Sequence, residues 1–139
     1  MTFKETITVE TLINAPIEKV LEFWTKPEHI TQWNNASDDW HTTKAENDLR
    51  IGGKFLSRME AKDGSFGFDF EGIYDEVLTN EKTSYTLLDE RKVTITFFST
   101  EKGVQVTETF EAENQNSLEL QKFGWQAILT NFKNYVENN

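Results

Sequence analysis

The sequence predicts an α+β fold in which a curved antiparallel sheet packs against one long carboxy-terminal helix. Short segments between residues 54 and 111 alternate apolar and polar side chains, which is typical of half-buried strands joined by hairpin turns. The end of the chain instead places apolar side chains every three or four positions, which is typical of an amphipathic helix. The stretch "NAPIEKVLEFWTKPEHITQW", residues 14–33, predicts two short helices after the first strand. With 139 residues, the chain is expected to form one domain, residues 1–139.

The first strand is predicted from apolar residues at mostly even spacing: Phe3, Ile7, Val9 and Ile13. Pro16 begins the first helix, since proline suits a first turn, and Asn14 or Ala15 is expected to cap it. The apolar face of this helix consists of Ile17, Val20, Leu21 and Trp24. Pro27 ends it and begins a second short helix, on which Ile30 and Trp33 share a face.

The strands that follow are predicted from alternation and from turn composition. Residues 38–50 are polar and predict a loop with one short strand, and Gly52 and Gly53 predict a turn that needs positive φ. "AKDGS" and "TEKG" are typical of hairpin turns, and a bulge or a bend is expected near Gly72. The five predicted strands are Lys54–Glu60, Phe66–Val77, Thr83–Leu88, Lys92–Thr100 and Val104–Glu111.

The final helix is expected to cover the apolar face of the sheet. Asn116 is its predicted N-cap, with Glu119 reaching back. Its apolar stripe consists of Trp125, Ile128, Leu129, Phe132 and Val136. A sheet curled around this helix encloses space, and we expect the two short helices to close one end of it, with Trp24 and Trp33 as packing anchors.

Composition excludes several classes of function. A formal net charge of −10 and a pI near 4.6 argue against nucleic acid and against anionic membrane surfaces as partners. The chain has no cysteine, which excludes disulfides and thiolate chemistry. No secretory or membrane-spanning segment is evident, so a cytoplasmic location is expected. No phosphate loop or dinucleotide motif occurs, and no cofactor is expected.

The order of elements resembles a known family over about Ile7 to Val136. It is carried by "NAPIEKVLEFWTKPEHITQW", "SDDWHTTKAENDLRIGGKF", "DGSFGFDFEGIYDEV", "VTETF" and "GWQAILTNFKNYV". These segments resemble the group of homologues of the activator of heat-shock-protein-90 ATPase, in the START-like, birch-pollen-allergen-like superfamily. The resemblance implies a helix-grip fold with a cavity between the sheet and the long helix.

The same resemblance implies several functions. Superfamily members bind lipids, sterols, polyketides and hormones, and some are cyclases or other enzymes. The eukaryotic namesake stimulates a chaperone ATPase and uses another domain for much of the chaperone contact, whereas 139 residues are expected to hold only one domain. Small single-domain members look bacterial and mostly lack an assigned function.

Glu108 is the first candidate for a functional side chain. In "GVQVTETFEA" it shares the parity of Val104, Val106 and Phe110, so a regular strand points it toward the apolar face. A carboxyl group there orients a ligand or transfers a proton, with its pKa raised unless it is paired. The alternatives are a buried hydrogen-bonding partner, with Arg58 or Arg91 as possible partners, or a bulge that turns it outward.

Aromatic residues on the strands and the long helix are expected either to line a pocket or to fill the space completely. A mostly apolar pocket with a few polar groups suits a small hydrophobic or amphipathic ligand. Tyr74, Tyr85 and Glu108 are the candidate polar contacts. The residues predicted to contact the ligand are Trp33, Phe55, Met59, Phe68, Tyr74, Tyr85, Phe97, Glu108, Trp125, Leu129 and Phe132.

Asp38, Asp39 and His41 form a polar cluster in "SDDWH". Solvent-facing or capping roles are favoured for them over metal binding, which requires three or four convergent ligands. Trp40 beside them either covers a pocket mouth or packs on the short helices. Three functions therefore stay open: a small-molecule binding domain, which is favoured, a module that contacts a chaperone, and an enzyme such as a cyclase that acts inside the cavity.

Overall fold

The computed structural model describes residues 5–139. Its elements are β1 (Thr6–Ile13), α1 (Ile17–Thr25), α2 (Pro27–Trp33), β2 (Trp40–Asn47), β3 (Lys54–Ala61), β4 (Gly67–Leu78), β5 (Lys82–Leu87), β6 (Lys92–Thr100), β7 (Gly103–Glu111) and α3 (Leu118–Asn138). Strands β3 to β7 begin and end within one residue of the predicted positions. Phe3, which the sequence assigned to the first strand, lies outside the described residues.

All seven strands form one antiparallel sheet in the order β1-β7-β6-β5-β4-β3-β2. Strands β2 to β7 are a meander of hairpins, and β1 joins the far edge by pairing with β7, Ile7 opposite Phe110. The sheet curves around α3, and the two short helices follow β1. The predicted α+β helix-grip fold is therefore confirmed.

The predicted apolar faces form the core. Leu129, Phe132 and Val136 of α3 are fully buried. The rings of Trp24 and Trp33 stack with centroids 5.1 Å apart, and both make edge contacts with Phe132. These contacts fix α1 and α2 against α3, as the sequence predicted for the two tryptophans.

Both predicted helix caps were wrong. Pro16, with an extended backbone, is the N-cap of α1, and no side chain caps this helix. Asn14 instead donates its backbone N–H to the Glu137 carboxylate at 2.8 Å. Ser117 caps α3, because its hydroxyl accepts the Leu120 N–H at 3.1 Å, whereas Asn116 hydrogen-bonds with Glu113.

Three details of the strands also differ from prediction. Strand β2 is an eight-residue edge strand, where a loop with one short strand was expected. Its solvent-exposed residues and a bulge between Thr42 and Lys44 obscure the alternation of apolar and polar residues in its sequence. Of the two turn glycines, only Gly52 has positive φ, at 82°. The bulge in β4 falls between Tyr74 and Glu76, so that Gly72 has another role. A Cβ at Gly72 would lie 3.0 Å from the Phe55 ring, which packs on this bare backbone.

Candidate functional site

A cavity of about 530 Å³ lies between the concave face of the sheet and the first half of α3. Its wall includes aromatic side chains from nearly every element, among them Trp33, Phe55, Phe70, Tyr85 and Trp125. The aromatic residues therefore line a pocket and do not fill the space completely, which was the first of the two alternatives in the sequence analysis. Such a volume lies within the range of small-molecule sites.

Eight of the eleven residues predicted to contact a ligand line this cavity: Trp33, Phe55, Met59, Phe68, Tyr74, Tyr85, Glu108 and Trp125. The other three, Phe97, Leu129 and Phe132, belong to the solid core and do not contribute to the wall. Phe97 and Phe132 are covered by Trp24, whose ring contacts each of them edge-on. The helical stripe predicts which residues face the sheet, but it cannot tell the half of α3 that touches the sheet from the half that spans the cavity.

Glu108 points inward from the middle of β7. It is 5% exposed, and its strand neighbours Val106 and Phe110 are almost completely buried, as the parity predicted. Burial alone raises the pKa of its carboxyl to about 8. Within residues 5–139, neither a hydrogen bond nor an ion pair reaches this carboxyl, which lines the cavity. At neutral pH the carboxyl of Glu108 is therefore mainly protonated.

The two arginines considered as partners of Glu108 bind other carboxylates. Arg58 contacts Glu60 at 3.1 Å and Asp69 at 3.3 Å. Arg91 contacts Asp89 at 2.7 Å, although its side chain also reaches the cavity wall. The pairing with Glu108 was therefore wrong.

Two tyrosines and a threonine add polar atoms to the same wall. Tyr74 donates its hydroxyl to Asn47 Oδ1 at 2.6 Å, and Asn47 Nδ2 donates to the Thr25 carbonyl at 2.7 Å, which ties β4 through β2 to the end of α1. Tyr85 is 8% exposed, and burial raises the pKa of its phenol well above the usual value. The Thr83 hydroxyl is buried, and no group within residues 5–139 hydrogen-bonds with it.

The connection from β7 to α3 contributes to the rim of the cavity, which the sequence analysis missed. Gln121 holds this connection: its Oε1 accepts the Glu113 N–H at 2.9 Å, and its Nε2 donates to the carbonyls of Glu113 and Asn116. Glu113, Asn116 and Gln121 all line the cavity. The sequence did contain a signal for this contact, because Gln121 is a polar residue four positions before Trp125 and so lies on the apolar stripe of the final helix.

Asp38 and Asp39 are exposed in the connection from α2 to β2, and His41 is half-buried in β2. Across residues 5–139, no three His, Asp or Glu side chains converge on a point that would hold a metal ion. Trp40 lines the cavity and contacts the rings of Phe66 and Phe68 at about 6 Å, so its neighbours lie on β4 and the turn before it.

No helix in the described part of the chain has both the length and the apolar character to span a membrane.

The sheet, the long helix and the cavity between them define a START-like helix-grip domain. The profile of a family described as "Activator of Hsp90 ATPase homolog 1-like protein" matches residues 14–137. The chain belongs to this family. No curated protein matches the sequence.

Solved structures agree with this assignment. An AHSA1-like protein of Aeromonas hydrophila is 45% identical, with a TM-score of 0.90 over 96% of this chain and 93% of that one. A protein of Cytophaga hutchinsonii is 51% identical, with a TM-score of 0.84 over the same shares of the two chains. A Chromobacterium violaceum protein, at 23% identity and a TM-score of 0.87 over 97% and 99% of the chains, shows the same fold.

Proposed function

We propose that the protein binds a small hydrophobic or amphipathic molecule in the cavity between the sheet and α3. The observation that carries this proposal is a space of about 530 Å³ whose wall combines nine aromatic side chains with polar side chains such as Glu108, Tyr85 and Thr83. Ligand sites of proteins have this volume and this mixture of wall groups. A cavity of this size costs stability because the atoms that line it lose packing contacts, which a bound ligand restores.

Gly124 offers a direct test, because it faces the cavity from α3 and a Cβ there would have no atom within 4 Å. We expect the fluorescence of N-phenyl-1-naphthylamine, an uncharged apolar probe, to rise on binding to the wild-type protein. Gly124→Phe places a ring in the cavity and should weaken binding by a factor of about ten or more, since each 1.4 kcal/mol is tenfold. Thr130→Phe, on the exposed face of the same helix, is the matched control and should bind as the wild type does.

Two results would contradict the proposal: no probe uptake by the wild-type protein, or unchanged uptake by a folded Gly124→Phe variant. Native mass spectrometry of the protein purified from its own host should in addition reveal a bound small molecule. The same spectrum of Gly124→Phe should lack that mass.

A second candidate function is contact with a chaperone. The description of the family supports it, together with the exposed apolar side chains of Leu118, Leu120 and Phe123 on the first turns of α3. Addition of excess protein to an Hsp90-class chaperone should then change its ATPase turnover, and Phe123→Ser should reduce the effect. Unchanged turnover at saturating protein would refute this function and leave the cavity proposal intact.

A further inference from the structure

We infer that Glu108 and Tyr85 form a two-donor site for the carbonyl oxygen of an uncharged apolar ligand. This inference rests on the binding function proposed above. It adds the chemical class of the ligand and the end of the ligand that lies deepest in the cavity.

The two side chains face the cavity from β5 and β7, the two strands that flank β6 in the sheet. Ile95 of β6 is paired with Glu108, and Val93, two residues earlier on the same strand, is paired with Tyr85. Glu108 and Tyr85 thus occupy adjacent rows, and a charge on Glu108 raises the pKa of the Tyr85 phenol. Both residues are more than nine-tenths buried and both line the cavity.

Neither group is used by the protein itself. Among residues 5–139, no hydrogen bond reaches the Glu108 carboxyl or the Tyr85 hydroxyl, whereas the neighbouring Tyr74 hydroxyl is bonded to Asn47. Buried polar groups in native proteins nearly always have a partner. The Thr83 hydroxyl, which lies in the row of Glu108 and also has no partner among residues 5–139, faces the same cavity. Unpaired O–H groups that face one cavity therefore indicate a binding site for an acceptor.

The chemistry of the pair favours an uncharged acceptor. Burial keeps Glu108 protonated at neutral pH, so it presents an O–H donor as Tyr85 does, and a carbonyl oxygen has two lone pairs to accept both. A ligand with an ammonium group would need Glu108 ionised, which burial opposes. A ligand carboxylate would meet the carboxylates of Glu46 and Glu113 on the wall.

The pH dependence follows from the groups around Glu108. The titratable and charged groups of the cavity wall are Glu46 from β2, Tyr74 from β4, Tyr85 from β5, Arg91 after β5 and Glu113 after β7, while α3 contributes none. Arg91 is engaged by Asp89, and among residues 5–139 no cation forms an ion pair with Glu108. Ionisation of Glu108 above pH about 8 removes its O–H donor, and the resulting carboxylate repels the carbonyl oxygen of the ligand. Affinity for a ketone should therefore fall between pH 7 and pH 9.

Three compounds of one shape test the inference: 2-acetylnaphthalene, 1-(2-naphthyl)ethanol and 2-isopropylnaphthalene, each displacing N-phenyl-1-naphthylamine. At pH 7, the ratio of ketone affinity to hydrocarbon affinity should fall about tenfold in Glu108→Leu and also fall in Tyr85→Phe. Glu108→Gln keeps an N–H donor and should keep the ratio within about threefold of the wild type. Glu10→Gln, an exposed carboxyl on β1, is the matched control and should change nothing.

A second measurement is independent of affinity. The C=O stretch of bound 2-acetylnaphthalene should lie at lower frequency in the wild type than in Glu108→Leu, because a hydrogen bond weakens the carbonyl bond. From pH 7 to pH 9, ketone affinity should fall about tenfold in the wild type and stay constant in Glu108→Gln. The alcohol, which also donates to a carboxylate, should show no such fall.

The outcomes separate this inference from the proposed function. If the probe and the hydrocarbon bind but a folded Glu108→Leu leaves the ketone ratio unchanged, the two-donor site is wrong and the cavity proposal stands. Tighter binding of 2-naphthylmethylamine or 2-naphthoate than of the ketone would also overturn it. If the wild type takes up neither the probe nor any of these compounds, the proposed function fails first.

Discussion

At the scale of single residues, the buried carboxyl of Glu108 is the feature that most clearly departs from ordinary packing. A regular strand and three apolar neighbours of the same parity were enough to predict that this side chain points inward. The sequence could not predict that Glu108 has no hydrogen-bonding or ionic partner among residues 5–139. Arg58 and Arg91 were possible partners, and only the folded chain shows that they bind other carboxylates. The position of a residue in the alternating pattern predicts which face of the sheet its side chain points to. Whether that side chain has a hydrogen-bonding or ionic partner depends on distances in the folded chain.

Replacement of Glu108 by glutamine should stabilise the protein more at high pH than at low pH. In the unfolded chain this carboxyl titrates near pH 4.5, and in the folded chain near pH 8. Below pH 4.5 both states hold the proton. Between these values only the folded state holds it, so wild-type stability falls as pH rises, and the effect levels off above pH 8.

The free energy of unfolding, from urea titrations at pH 5 and pH 8.5, measures this effect. The advantage of Glu108→Gln over the wild type should be greater at pH 8.5 by roughly 3–5 kcal/mol, at about 1.4 kcal/mol per pH unit. Glu10→Gln on the exposed face of β1 should leave the wild-type pH profile unchanged. If the free energy of unfolding depends on pH in the same way in Glu108→Gln and in the wild type, the folded protein does not hold this proton.

At the scale of secondary structure, α3 has two parts with different roles. Its first half, which includes Gly124, Trp125 and Ile128, spans the cavity. Its second half, from Leu129 to Val136, packs directly into the core. The apolar stripe predicted both halves as one face, since side-chain spacing is the same in each. The difference depends on the side chains that pack against each half of the helix in the folded chain, which a local pattern does not record.

Two alanine substitutions on this helix should therefore have opposite effects on stability. Gly124→Ala should raise the free energy of unfolding by about 0.5–1 kcal/mol, because it adds a good helix former in open space. Leu129→Ala should lower it by about 2–5 kcal/mol, because it leaves a void in a fully packed site.

Chemical denaturation measures both changes, and binding of N-phenyl-1-naphthylamine provides the second readout. Probe affinity should survive in folded Leu129→Ala protein, since this side chain does not line the cavity. A large loss of probe affinity in folded Leu129→Ala protein would show that Leu129 contributes to the binding site.

The strands illustrate what alternation reveals and what it hides. Strands β3 to β7 were predicted to within one residue, because each has one face on the core and one in water. Strand β2 was underestimated, since an edge strand with a bulge and several exposed polar residues resembles a loop. A bulge or bend of β4 was expected near Gly72, and the bulge lies between Tyr74 and Glu76, whereas Gly72 allows the Phe55 ring to approach the backbone closely.

At the scale of the whole molecule, the order of elements was sufficient to predict a sheet wrapped around one helix. The cavity was not predictable in the same way, because its volume is the difference between the space enclosed and the volume of the side chains that enter it. Phe97 and Phe132 fill space beneath Trp24, while Phe55 and Phe70 leave it open. All four are phenylalanines on predicted apolar faces, and only the side chains packed around them in the folded chain distinguish the two pairs.

The pairing of β1 with β7 has a consequence for biosynthesis. Of the strands within residues 5–139, β1 is made first, yet its one hydrogen-bonded neighbour among them is β7, the last of them to be made, and its other large contact is with α3. The nascent chain must therefore carry an open β edge while all the intervening hairpins form, and native closure is postponed until translation has passed α3. A stall placed after β6 should leave a protease-sensitive chain, because the two ends of the sheet have not yet met.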